Sequence, residues 1–294
     1  MQNFFSAKEN VFNYIAASKK RVENDPVRII ILSIFAGIFI SFGAAGSSLA
    51  AHNIVTAGVG KIITGLVFPV GLMMVILTGA ELFTGDCMFI MGVAEKRYKF
   101  ISMLKILVLV YAGNMAGSIL MAILITMSGQ LDVSQGLLGA YTIKIAAAKT
   151  SIPFASALIS GILCNVLVCT AVFMAGCAKD ITGKLFSAFF PIMLFVICGF
   201  EHCVANMYFI PAGIMAAKNH TYVNLAMQNY GLSMEQISTV NWSNFFTQNL
   251  IPVTIGNIVG GIVFFAMPIL MAYREGRGNR ECAKEEFSLI NEGE

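Results

Sequence analysis

Long stretches without a formal charge constrain this chain more than any other feature. From Leu185 to Phe200 there is no Asp, Glu, Lys or Arg, and from Cys203 to Ala217 there is again none. Crossing about 30 Å of hydrocarbon as a helix takes ~20 residues, so neither stretch suffices alone and the two together do. Between them stand Glu201 and His202, an ionisable pair placed near mid-membrane. Each charge at that depth costs at least ~2.5 kcal/mol on insertion scales unless it faces a cavity or a partner. The pair therefore reads as a site.

Composition agrees. Of 294 residues 57% are hydrophobic and only 12% charged, against roughly 25% charged in soluble domains. The apolar runs are helix-length and lack the ~10-residue alternation of an outer-membrane barrel, so the expected class is an all-α integral membrane protein. The first 25 residues are mixed and charged, without the compact apolar core of a cleavable signal. The cysteines at 87, 164, 169, 177, 198, 203 and 282 show no paired spacing and read as small buried hydrophobes. Nothing in the sequence calls for a metal, a cofactor or a nucleic-acid partner.

Three regions are expected: an amphipathic cytoplasmic N-terminal helix over 1–25, a six-span region over 26–273, and a polar cytoplasmic tail over 274–294. The first sets Phe4, Phe5, Val11, Phe12 and Ile15 against Lys8, Lys19, Lys20 and Arg21, the pattern of a helix lying on a membrane surface. It reads as an anchor or as a gate. Expected spans are 29–51, a second from Ile62 interrupted after Ala80, then 106–127, 151–177, the interrupted 185–217, and 246–273. Fifteen of the nineteen lysines and arginines then fall on the side of the termini, which places both termini in the cytoplasm.

Three short similarities recur in order. Ala36-Gly37-Ile38 resembles Ser160-Gly161-Ile162; Gly79-Ala80-Glu81 resembles Gly199-Phe200-Glu201; Gly113-Asn114 with Gly117 resembles Gly256-Asn257 with Gly260. Two halves of three spans each insert with opposite topology, because three is odd. Inverted repeats with helices broken at corresponding places point to a site at the bilayer midplane.

The break in the second span is Gly79-Ala80-Glu81-Leu82-Phe83-Thr84-Gly85-Asp86. Non-helical backbone at this depth survives only under cover of protein or water, so the two breaks are expected to meet across a central path. There Thr84 offers a hydroxyl and His202 an imidazole, while the broken helix ends offer N–H groups that suit an anion. His202 is the only histidine of the apolar core, which argues against haem or a multi-histidine metal site. Glu81 and Glu201 are expected to support the broken helices by accepting backbone N–H bonds, with proton exchange as the second reading.

The segments Gly-Ala-Glu-Leu-Phe-Thr-Gly at 79–85, Gly-Phe-Glu-His-Cys-Val-Ala-Asn-Met at 199–207 and Asn-Leu-Ile-Pro-Val-Thr-Ile-Gly-Asn-Ile-Val-Gly-Gly at 249–261 resemble the formate–nitrite transporter family. The resemblance spans roughly residues 25–275. It implies an aquaporin-like fold, a homopentamer with a pore in each subunit, and selectivity for small monovalent anions such as formate, nitrite or hydrosulfide. It implies that Thr84 and His202 are the central pair, Lys149 an outer-vestibule lysine, and Asn165 and Asn257 pore-facing asparagines. It also implies an outer apolar constriction of Phe68, Phe195 and Leu82, and an inner one of Leu72 and Val168. Asp86 lies outside the family pattern and is expected to face away from the path.

An anion at an oily ring meets a large desolvation penalty that a neutral acid largely escapes. The expected function is thus pH-dependent transport of small anions, formate foremost, across the cytoplasmic (inner) membrane, with His202 able to supply a proton near neutral pH. Nitrite or hydrosulfide are the alternatives of the same kind. A neutral-solute channel, an enzyme using Glu201, His202 and Cys203, and a scaffold are weaker. The chain lacks nucleophile–base spacing and a soluble cofactor domain, and a scaffold needs no broken helices.

Overall fold

Proline and aspartate start the first span: Pro26 occupies the first helical turn, where its missing N–H costs nothing, and the Asp25 carboxylate accepts from the Val27 N–H. A computed structural model describes residues 4–274; the rest of the expected tail, with Arg277, Arg280, Cys282 and Lys284, lies outside the described residues. In chain order the helices are α1 (Ala7–Val22), α2 (Pro26–Ala51), α3 (Ala57–Thr78), α4 (Phe83–Ala94), α5 (Phe100–Met127), α6 (Leu137–Thr150), α7 (Phe154–Cys177), α8 (Ile181–Cys198), α9 (Cys203–Ala216), α10 (His220–Tyr230), α11 (Met234–Ser238) and α12 (Trp242–Tyr273). Among the described residues the only strand-like pairing is an isolated bridge between Phe4 and Ala178. Six helices, α2, α3, α5, α7, α8 and α12, are long and apolar enough to cross a bilayer, and the chain is a multi-pass membrane protein.

Helix pairing follows the glycines. α2 packs on α5 so closely that a Cβ at Gly117 would strike the Ile34 carbonyl oxygen, and one at Gly37 that of Asn114. α7 packs on α12 in the same manner, with Gly256 against the Leu158 carbonyl and Gly260 against that of Ile162. Small residues let backbones approach in this way where lipid gives no hydrophobic drive between helices. Outward-facing Phe35, Leu120, Leu163, Phe190 and Phe264 are exposed and form part of the apolar belt.

α3 stops at Thr78 because Gly79 turns left-handed, with φ 72°; Leu82 is extended and the chain re-enters a helix at Phe83. α8 stops at Cys198, Gly199 has φ 73°, His202 is extended, and α9 begins at Cys203. Glycine takes this conformation without the Cβ clash other residues meet. One asparagine braces each gap. Asn114 accepts from Phe83 N at 3.0 Å and donates to the Ser33 and Glu81 carbonyls at 2.8 and 2.9 Å. Asn257 accepts from Cys203 N at 2.9 Å and donates to the Gly161 and Glu201 carbonyls at 2.8 and 3.0 Å.

One expectation changes here. Lys149 lies on the last turn of α6, a helix inside a segment read as a connection. Its small residues Gly139, Ala140, Ala146 and Ala147 are buried against neighbours, so it carries no clean amphipathic period. α1 packs its Val11 and Ile15 face on protein, while Phe12 remains exposed. A reciprocal Ser6–Glu9 capping box starts it, and the Ser6 hydroxyl holds the Glu9 carboxyl below its ordinary range. Val11 and Ile15 are buried, Asn10 donates to Phe173 O at 2.7 Å, and Tyr14 donates to Gly85 O at 3.1 Å.

Replacing Asn257 with leucine keeps the branched shape and leaves the Cys203 N–H and the Glu201 carbonyl without their asparagine partner, each worth about 1–3 kcal/mol, while the Gly161 carbonyl keeps its bond within α7. Chemical unfolding in detergent is expected to show N257L destabilised by at least ~2 kcal/mol; an unfolding midpoint equal to wild type contradicts the bracing role.

Candidate functional site

The two breaks touch through side chains. Thr84 sits in the first turn of α4 and His202 immediately precedes α9, and Thr84 Oγ1 lies 2.9 Å from His202 Nε2. Both are buried. His202 Nδ1 accepts the Ala205 N–H at 3.1 Å, so the histidine caps the helix that follows it. An acceptor at Nδ1 assigns the proton of a neutral imidazole to Nε2. Nε2–H then donates to Thr84, whose own hydroxyl hydrogen remains available to a second acceptor. Protonating Nδ1 would displace the Ala205 N–H, so charge on this ring is tied to the start of α9.

A cavity of about 360 Å³ opens above the pair, lined by Phe68, Phe195, Lys61, Lys144, Lys149, Glu201 and His202. Phe68 and Phe195 meet edge to face at 5.6 Å, and the Phe195 ring lies 6.0 Å from the His202 ring. Lys149 Nζ donates to Glu201 Oε1 at 2.8 Å. Glu201 Oε2 accepts from Asn206 Nδ2 at 2.7 Å and from Asn249 Nδ2 at 3.2 Å. Asn249 lies in a π-helical stretch of α12, Phe245–Leu250, a distortion that recurs at functional positions. Lys144 has no carboxylate partner among the described residues and packs its ammonium 4.7 Å from the Tyr230 ring centre and 5.5 Å from that of Tyr141.

A second cavity, about 330 Å³, lies under α1 and is lined by Tyr14, Arg21, Val75, Leu82, Gly85, Asp86 and Lys184 among others. Arg21 Nη1 reaches down from α1 to 3.4 Å from Glu81 Oε2 and 3.5 Å from Asp86 Oδ1. Leu72, Thr84 and Val168 line neither cavity and are buried between helices.

The structure brings together Thr84, His202, Phe68, Phe195, Lys149 and Glu201, and departs from expectation at four points. Leu82 lines the cavity under α1, opposite Phe68 and Phe195. Asp86 lines that same cavity instead of facing away, neutralised in part by Arg21. The Glu201 carboxylate takes side-chain donors; of the backbone N–H groups at the breaks, Phe83 goes to Asn114, Cys203 to Asn257, Glu201 to the Ser160 hydroxyl and Glu81 to the Leu32 carbonyl. Asn257 is spent on that bracing, and Asn165 donates to the Thr84 and Asn257 carbonyls at 3.2 and 2.6 Å, tying α7 to both neighbours. Arg21, Asn206, Asn249 and Lys144 were not singled out from sequence. Asn206 had a signal, since it follows Glu201 at the spacing by which Asp86 follows Glu81; Arg21 in a charged run had none.

Known proteins resemble this chain over most of its length. The family model described as "Formate/nitrite transporter" matches residues 8–271. A probable formate transporter of Methanothermobacter thermautotrophicus is 35% identical over 285 residues, covering 90% of this chain and 96% of the relative. The formate channel FocA of Escherichia coli K12 is 33% identical, covering 84% of this chain and 87% of its own length. A solved structure of a pentameric formate channel with formate bound superposes with a TM-score of 0.75 at 33% identity, covering 85% of this chain and 98% of that one. A solved FNT family ion channel gives a TM-score of 0.74 at 27% identity, covering 90% and 98%. The curated relatives are described as channels or transporters. The chain belongs to the formate/nitrite transporter family.

Proposed function

We propose that the chain is a channel for small monovalent anions, formate foremost, and that the route runs through each subunit between the two cavities by way of Thr84 and His202. The observation that carries this reading is the 2.9 Å contact between those side chains, each at a helix restart, with a cavity on either side. Formate-channel relatives and the formate-bound pentameric neighbour support the substrate and a homopentamer. Nitrite and hydrosulfide carry the same charge and use the same acceptor chemistry.

In this reading the two breaks belong to spans α3–α4 and α8–α9 of two oppositely inserted halves, as their matched glycines, extended residues and bracing asparagines suggest. Residues 1–25 cover the cytoplasmic mouth, 26–273 form the pore region and 274–294 the tail, with both termini in the cytoplasm and the protein in the inner membrane. The lysine and arginine bias supports that orientation.

Lys61, Lys144 and Lys149 gather anions in the outer vestibule against the single carboxylate of Glu201. Phe68 and Phe195 strip water from the solute, and Leu82, Leu72 and Val168 close the path on the other side of Thr84. A bare anion at these apolar surfaces is costly and its conjugate acid is cheap. Thr84 donates its spare hydroxyl hydrogen and His202 its Nε2–H to the solute. For the solute to take the Nε2 proton, Nδ1 first binds H⁺ from cavity water and gives up the Ala205 N–H; the imidazolium so formed returns to a neutral ring when Nε2–H passes to the solute. That exchange makes conduction pH-dependent. Asn165 and Asn257 hold the walls of the route.

Formate flux into proteoliposomes tests this across pH. His202→Asn keeps a capping side chain without a titratable ring and is expected to retain flux while flattening its pH dependence; H202F is expected to lose most flux. An unchanged pH profile in both removes His202 from the mechanism. Lys149→Gln leaves Glu201 charged, buried and unpaired, a loss of about 3–5 kcal/mol in stability that the K149Q/E201Q pair is expected to recover largely. Equal unfolding midpoints for K149Q and wild type would contradict that pairing.

A further inference from the structure

The two breaks carry polar clusters of similar plan, a glutamate with a cation from another helix, that differ in the residue five positions on and in the further Asn249 donor to Glu201. Beside the second, Glu201 is held by a cation from another helix, Lys149, and by the amide of Asn206. Beside the first, Glu81 is held by a cation from another helix, Arg21, and at the position matching Asn206 stands Asp86. An amide N–H donates to a neighbouring carboxylate; an ionised carboxylate has nothing to donate.

Glu81 is 3% exposed and Asp86 2%, and a single guanidinium nitrogen, Arg21 Nη1, serves both, 3.4 Å from Glu81 Oε2 and 3.5 Å from Asp86 Oδ1. Among the described residues neither Glu81 Oε2 nor Asp86 Oδ2 accepts a hydrogen bond, although Arg21 Nη1 stands at ion-pair distance from the former. Buried polar atoms rarely stay unpaired, and those that do call for an explanation. One guanidinium against two carboxylates also leaves a net negative charge beside the cavity under α1, which would repel an anion.

We infer that Glu81 and Asp86 together bind one proton, so that protonated Asp86 does for Glu81 what the Asn206 amide does for Glu201. The step is reversible binding of H⁺ from cavity water to a carboxylate oxygen of the pair. With the proton bound, Arg21, Glu81 and Asp86 sum to zero and an anion passes; without it they sum to −1. The surrounding charged and titratable groups are Arg21 and Tyr14 on α1, Arg28 on α2, Tyr98 between α4 and α5, Cys87 on α4, Cys169 on α7 and Lys184 at the cavity rim on α8. None of the cations takes over the missing donor role.

The effect on flux rests on the channel reading; the proton does not. The test is infrared difference spectroscopy of the full-length protein in liposomes, titrated from acid to alkaline pH, with formate flux measured on the same samples. Wild type is expected to show a carboxylic-acid C=O band that shifts in D2O and disappears at alkaline pH. Asp86→Asn, and independently Glu81→Gln, are expected to lack it. Asn206→Asp is expected to add a second band. Flux through D86N is expected to lose the several-fold alkaline fall shown by wild type. If wild type, D86N and E81Q, all folded, give superimposable spectra across the range, the shared proton is overturned. If the band behaves as expected and wild type moves no formate, the channel reading fails and the proton site stands.

Discussion

Backbone that leaves the helix inside a membrane has to find partners for its N–H and C=O groups from the protein itself. Everything at the centre of this subunit depends on how that demand is met. Gly79 and Gly199 end two helices in the left-handed region, and Asn114 and Asn257 each close three hydrogen bonds around the gap that follows. Because the asparagines sit among glycines, α5 lies against α2 and α12 against α7 at backbone contact, and the amides reach without slack. The chain can then present Thr84 and His202 from helix ends instead of helix sides, with the His202 Nε2–H aimed at the Thr84 hydroxyl oxygen.

Charge is arranged around the same gaps. Each carries a glutamate held by a cation supplied from elsewhere in the chain, Lys149 from the end of α6 and Arg21 from α1. The N-terminal helix is thereby joined to the centre of the molecule through Arg21 and through Tyr14, whose hydroxyl reaches the Gly85 carbonyl. These contacts tie the position of α1 to the two buried acids beneath it, Glu81 and Asp86.

Much of this was legible in the residues. Uncharged runs revealed the spans, and Glu201-His202 within one of them marked the centre. The Gly-x-Glu segments at 79–81 and 199–201 coincide with the two places where a helix ends and restarts. The remainder was hidden for physical reasons. α6 is surrounded by protein, so it shows no amphipathic period, and Lys149 read as the start of a span. Asn114 and Asn257 look alike in sequence, and only hydrogen-bond geometry reveals that both serve the backbone. Leu82 and Asp86 lie on a stretch too irregular for side-chain direction to follow from spacing. Arg21 belonged to a basic run where no single residue stood out.

The central claim is that the two helix restarts converge on one solute route within a subunit. An experimental density map of the protein in lipid, saturated with formate, tests it most directly. The account predicts formate density within hydrogen-bonding distance of Thr84 Oγ1 and His202 Nε2, on a line joining the two cavities. Formate absent from that position and tracking instead along a subunit interface or another path through the helices would contradict it.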